Sequence, residues 1–143
     1  MPRSVVTAAQ ARAVGPYSHG VVAGDLLLLS GQTPLDPATG ELVGGGIAAQ
    51  TRQCLANLAA VLGAAGLGFD AVVKCNVYLT DMAHFVEMNA AYAEHFDEPY
   101  PARTTVAVAG LPLGADVEIE MVALLPDTGV DRTTTGADRD HGA

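Results

Sequence analysis

The chain has no tryptophan, and its aromatic residues are three Phe and four Tyr among 143 positions. Half of the residues are hydrophobic, so a real core is expected, built from Ala, Val, Leu and Ile. Alanine fills little volume, which makes burial against a second copy of the chain attractive. Cations are scarce: seven Lys plus Arg stand against sixteen Asp plus Glu, a formal charge of −9. Residues 126–143 supply four Asp and two Arg, so the rest is acidic by itself. Phosphate recognition needs clustered Lys and Arg, and no cluster exists, which argues against nucleic acid as a main partner. Cys54 and Cys75 are the only cysteines, and neither has a Cys or His at metal-ligand spacing. Both read as small buried apolar residues. No apolar run approaches the roughly 20 residues of a membrane span, and no apolar stretch follows the N-terminal charges as in a signal peptide. The expectation is a soluble, cytoplasmic protein of one domain, residues 1–126. Residues 127–143, rich in Asp, Thr and Gly and without periodicity, are expected to form a disordered acidic tail.

Against that background one arginine stands out. The stretch Pro101-Ala102-Arg103-Thr104-Thr105-Val106 places it in an otherwise apolar and hydroxylated strand. A buried guanidinium without a partner is costly. Its partner is Glu118 or Glu120 of the strand Val117-Glu118-Ile119-Glu120-Met121-Val122, or else a carboxylate that comes and goes. If the two strands pair antiparallel with Val108 opposite Val117, Thr105 faces Glu120 and Arg103 faces Val122. Arg103, Thr105 and Glu120 then share one face. A one-residue slip moves Glu120 to the other face from Arg103.

The rest of the chain alternates strands and helices. Residues 21–30 read as a hairpin turning at Gly24-Asp25, a pair that tolerates positive φ. Residues 34–46, with Pro, Asp and four Gly, read as a loop. Ile47, Thr51, Cys54, Leu55, Leu58, Val61 and Leu62 recur at helical spacing over residues 47–65, and Gly66 ends that helix. Residues 71–79 alternate, with Val73, Cys75, Val77 and Leu79 on one face and Val72, Lys74, Asn76 and Tyr78 on the other. Asp81 caps a second helix, residues 82–96, on which Asn89 lines up with Phe85, Tyr92 and Phe96. Pro99 and Pro101 then break the helix. The expected fold is α+β: a mixed, mainly antiparallel sheet with two helices packed on one face.

Five motifs occur in order: Gly15-Pro16-Tyr17-Ser18, Ser30-Gly31-Gln32, Asn89 on the second helix, Pro101-Ala102-Arg103-Thr104, and Ile119-Glu120. Together they resemble the RidA (YjgF/YER057c/UK114) family of reactive-intermediate deaminases, over residues 5–125. The resemblance implies a chorismate-mutase-like fold and a homotrimer with active sites in clefts between subunits. It implies hydrolysis of small 2-imino and enamine acids to 2-keto acids and ammonia, with no metal or organic cofactor. It assigns Arg103 to the substrate carboxylate and Glu120 and Tyr17 to catalysis, with Ser30, Gly31, Asn89 and Thr105 around the substrate. Thr105 departs from the family, in which many members carry Cys at that position.

The residue types suit that chemistry. A planar carboxylate matches a two-donor guanidinium. Hydrolysis needs a group that takes a proton from water and passes one to the departing nitrogen, which a glutamate does. An enamine must first be protonated on carbon, by a neutral Glu120 or by Tyr17. Arg103 nearby opposes a raised glutamate pKa, so the neutral form depends on burial. Blander readings stand beside these. Arg103 and Glu120 form a structural ion pair, Asn89 caps a loop, Tyr17 packs in a turn, and Ser30 ends a strand. His19, His84 and His95 make no recognisable triad with Ser30 or Cys54, though His19 lies beside Tyr17. Two rival functions remain: a non-catalytic carboxylate-binding or holdase trimer of this fold, and an endoribonuclease, which the negative charge disfavours.

Overall fold

The structure is a computed structural model that describes residues 2–9 and 15–126. The expected acidic tail, residues 127–143, lies outside the described residues. Six strands, β1 (Ser4–Val6), β2 (Gly20–Ala23), β3 (Leu26–Gln32), β4 (Val72–Leu79), β5 (Ala102–Ala107) and β6 (Val117–Leu124), form one sheet in the order β1-β2-β3-β6-β4-β5. Only β4 and β5 run parallel, and every other neighbouring pair is antiparallel. Helices α1 (Ile47–Ala64) and α2 (Phe85–Ala93) pack against each other on one face of the sheet. The fold is α+β, as the residue pattern predicts.

Helix α1 buries the face that its spacing picks out: Ile47, Thr51, Cys54, Leu55, Leu58, Val61 and Leu62 are all inaccessible. Gly66, at φ 75°, lets the chain leave. Its N–H donates to the Gly63 carbonyl and that of Leu67 to the Leu62 carbonyl, so two otherwise orphaned carbonyls are satisfied. Asn57 is also buried on α1. Its amide donates to the Thr33 and Leu35 carbonyls and ties the loop after β3 to the helix. The β2–β3 hairpin turns at Gly24, at φ 61°. Along β6 the core side chains Val117, Ile119, Met121 and Ala123 alternate with Glu118, Glu120, Val122 and Leu124, which face away from the helices. Cys54 and Cys75 are both buried and free, as expected.

Four expectations need correction. First, β5 does not pair with β6. It returns from α2 parallel to β4, the crossover that a helix permits. Val108 then bonds to the Leu79 carbonyl at the end of β4, and the chain passes over that end to enter β6 on the other side. β4 therefore separates Arg103 from Glu120. Second, β1, absent from the sequence reading, adds a sixth strand at the β2 edge. Third, the alternation of β4 slips at its start: a register shift between Val72 and Lys74 buries Val72 and exposes Val73. Fourth, the second helix begins as a 3-10 turn, Met82–His84, capped by the Asp81 carboxylate. The buried face of α2 is Met88, Ala91 and Tyr92, with Phe85 half-buried. Asn89 is one step round the helix from Met88 and is exposed.

Candidate active site

The open face of the sheet carries a cleft of about 430 Å³ lined by Tyr17, Ser30, Gly31, Gln32, Thr33, Pro112, Glu118 and Glu120. Its floor is set by a register shift in β3 between Leu29 and Gln32, where β3 meets β6. Such irregularities re-aim the strand beside a site. Here Gly31 comes under the Glu118 carboxyl. A Cβ on Gly31 would stand 3.0 Å from the Glu118 Cδ and Oε1 atoms, so the glutamate occupies the space that any side chain would take. Ser30 donates its hydroxyl to the Ser18 carbonyl at 2.6 Å, and its N–H donates to the His19 carbonyl. The end of β3 thereby holds the segment that presents Tyr17. His19 is buried and accepts the Ala8 N–H at Nδ1, 3.1 Å away, so its ring supports the chain next to β1.

Glu118 and Glu120 differ in their surroundings. Glu120 accepts hydrogen bonds from the Asn76 amide, at 3.0 Å, and from the Tyr78 hydroxyl, all on the open face. These two donors hold the carboxyl group in place. Donation to Glu120, then burial and the charges of both glutamates, pushes the Tyr78 phenol up to about 12. Glu118 lies over Gly31. Burial, and after it the negative charge of Glu120, raises its pKa above the ordinary carboxyl value. Asn76 and Tyr78 are site residues that the sequence reading passed over. Their polar alternation along β4 was the signal, but their partner was assigned to another strand.

Arg103 and Thr105 lie on the other face. Arg103 is opposite Cys75, and Thr105 is opposite Val77, both core positions. The Arg103 guanidinium stacks 4.7 Å from the Tyr92 ring centroid and 5.8 Å from that of Phe85. Among the described residues it makes no ion pair, and the exposed Arg52–Glu94 bridge is the one such pair found. Arg103 lines a separate cleft of about 320 Å³ with Asn89, Tyr92, Ala93, Tyr100 and Pro101. The Tyr92 hydroxyl lies buried beside Cys75 without a partner at hydrogen-bond distance, and burial raises its pKa. Thr105 Oγ1 is likewise buried and unpartnered. The structure thus groups Tyr17, Ser30, Gly31 and Glu120 on one face, and Arg103, Asn89 and Thr105 on the other. Among the described residues no three His, Cys, Asp or Glu side chains are grouped to hold a metal ion, and no helix is long and apolar enough to cross a membrane.

A family described as Endoribonuclease L-PSP matches residues 7–125. The chain belongs to this family, the RidA family. It is 46% identical over 123 residues to a RutC family protein of Pyrococcus horikoshii, covering 86% of this chain and 98% of that protein. It is 42% identical over 122 residues to the human 2-iminobutanoate/2-iminopropanoate deaminase, covering 85% of this chain and 89% of the human protein. The crystal structure of RidA from an Antarctic Psychrobacter superposes with a TM-score of 0.82 at 42% identity, over 86% of this chain and all of the other. RidA relatives do not share one activity name, but several are named imine deaminases.

Proposed function

We propose that this RidA family member hydrolyses small 2-imino and enamine acids to 2-keto acids and ammonia, in clefts formed where two copies of the chain meet in a homotrimer. The observation that carries the reading is the division of the site. A guanidinium without an ionic partner among the described residues stands in one cleft, and a carboxyl pair stands in a second cleft on the opposite face. A second copy supplies what each lacks. The open sheet face supports the assembly, because it exposes Leu28, Val106 and Leu124 at 40–49% of their surface.

In this reading Arg103 of one copy grips the substrate carboxylate, held flat by Tyr92 and Phe85. Glu118 of the next copy handles protons, with Glu120 beside it as a fixed charge. The motifs point to Glu120, but the geometry favours Glu118, because Glu120 is occupied by Tyr78 and Asn76. Water bonds to the imine carbon while the neutral Glu118 carboxyl gives its proton to the nitrogen and takes the water's proton on its other oxygen. Passage of the remaining hydroxyl proton through Glu118 to the amino group expels ammonia and leaves the 2-keto acid. For an enamine, the neutral carboxyl first protonates carbon, and burial of Glu118 favours that form. An endoribonuclease is disfavoured, because the carboxyl pair would repel a phosphate backbone.

The test generates imino acids in place with an amino-acid oxidase or a threonine dehydratase and follows ammonia release. Acceleration by the wild type, lost in Glu118→Gln, supports the reading. Binding of 2-keto acids without any acceleration supports a non-catalytic carboxylate binder instead. Light scattering checks the assembly, and a monomer at micromolar concentration overturns the shared site.

A further inference from the structure

Tyr78 belongs to no motif that the function absorbs, yet it reaches the carboxyl pair. It stands on β4 opposite Glu118 in register, and its hydroxyl donates diagonally to Glu120, two residues further along β6. Asn76, directly opposite Glu120, donates to the same oxygen, Oε1. Both donors act on one member of the pair. The other member, Glu118, lies over Gly31 at the floor of the cleft. The two glutamates share a strand face roughly 7 Å apart along the chain. Two carboxyls at that spacing interact, so their first proton is lost from whichever anion is better held.

We propose that Tyr78 is a positioning residue for this pair: by donating to Glu120 it fixes the negative charge there and leaves the pair's remaining proton on Glu118. The inference rests on the assignment of proton transfer to Glu118. Other groups facing Glu118 do not reproduce the effect. Tyr17 lines the same cleft, and β3 offers only Ser30, Gly31 and Gln32. On β4, Lys74 points its ammonium to the Thr104 hydroxyl of β5, 2.9 Å away. Cys54 of α1 feels the charge of Glu118, but its own thiol is pushed up by burial and stays neutral. Without the phenol, the remaining proton divides between the two carboxyls, and Glu118 ionises at lower pH. Atoms and charge are conserved, because the change is only in which carboxyl holds the proton.

Tyr78→Phe and Glu120→Gln test this. The first readout is the pH profile of kcat/KM for imine hydrolysis, taking the limb that Glu118→Gln abolishes. The second is the titration of the Glu118 carboxyl carbon by carbon-13 NMR, without substrate. Glu120→Gln is expected to move the Glu118 titration down by on the order of one pH unit. Tyr78→Phe should move it in the same direction by less. An unmoved Glu118 titration in Tyr78→Phe overturns the proposal, even if stability or kcat falls. If the wild type proves inactive on imino acids, the deaminase reading fails while the NMR titration still decides the role of Tyr78.

Discussion

Arg103 and Glu120 stand on opposite faces of one sheet, with β4 between their strands: Arg103 lies opposite Cys75 and faces α2, and Glu120 lies opposite Asn76 and faces away. A guanidinium and a carboxylate so divided cannot serve one substrate from a single copy, whereas two copies can bring them together. Two inactive variants should therefore rescue each other. When Arg103→Lys and Glu118→Gln chains are refolded together in equal amounts, about one site in four receives both intact residues. About a quarter of wild-type activity is expected from the mixture. Activity no higher than that of either variant alone places both residues in the same copy's site.

Arg103→Lys keeps the charge but loses the planar fork and the stacking on Tyr92 and Phe85. Keto-acid affinity and kcat/KM should fall together, each by on the order of ten- to a hundredfold. Calorimetry with a 2-keto acid and coupled ammonia kinetics measure both. Unchanged keto-acid affinity moves the carboxylate anchor elsewhere.

Glu118 also links the site to stability. Its folded-state pKa is raised, by burial first and by Glu120 second. The folded state thus binds the proton more tightly than the unfolded state. The stabilisation this contributes is fully present below the unfolded carboxyl value, about 4.3, and is lost as pH rises through the folded value. Glu118→Gln has no such loss. It should melt above the wild type at pH 7, with the gap closing as pH falls toward 4. A gap that widens on acidification contradicts the sign of the shift.

How much of this was legible beforehand differs by element. The core face of α1 could be read residue by residue, because a periodic apolar stripe reports its own burial. The capping role of Asp81 and the left-handed Gly66 are local chemistry and were equally readable. Strand order was not. A short loop between β5 and β6 suggested a hairpin, and nothing in residues 108–116 announces that the chain crosses the end of β4. That one step decides whether Arg103 and Glu120 share a face. The same gap hid Asn76 and Tyr78, whose polarity was plain but whose partner depended on which strand lay beside β4. Val73 was placed on the wrong face because one shifted residue inverts the alternation near it.

Thr105 faces the core side with a buried hydroxyl that meets no partner. A buried hydroxyl without a hydrogen bond is costly, so replacing it with a methyl relieves the fold. Thr105→Val should keep or raise the melting temperature. Hydrolysis should stay within about tenfold of wild type in both Thr105→Val and Thr105→Cys, a barrier change of roughly 1.4 kcal/mol. Lost turnover in Thr105→Val with an intact fold gives the hydroxyl a part in the chemistry.

Gly31→Ala isolates the placement of Glu118 from its chemistry. The new methyl would stand 3.0 Å from the glutamate's Cδ and Oε1, closer than carbon and oxygen atoms pack without repulsion. The obstacle is the end of a flexible side chain, so Glu118 swings aside and the backbone keeps its course. Folding and assembly should persist. Arg103 of the facing copy is untouched by the substitution, so its grip on the keto-acid carboxylate should change little. A displaced proton carrier lowers kcat by on the order of ten- to a hundredfold, as misplacement by about 1 Å does elsewhere. In a Glu118→Gln background the same substitution should cost far less, because the group it displaces no longer transfers protons. Equal losses in both backgrounds mean that the methyl blocks substrate instead of moving Glu118. Full activity in Gly31→Ala means that turnover does not depend on where Glu118 sits, and the proton-transfer role passes to Glu120.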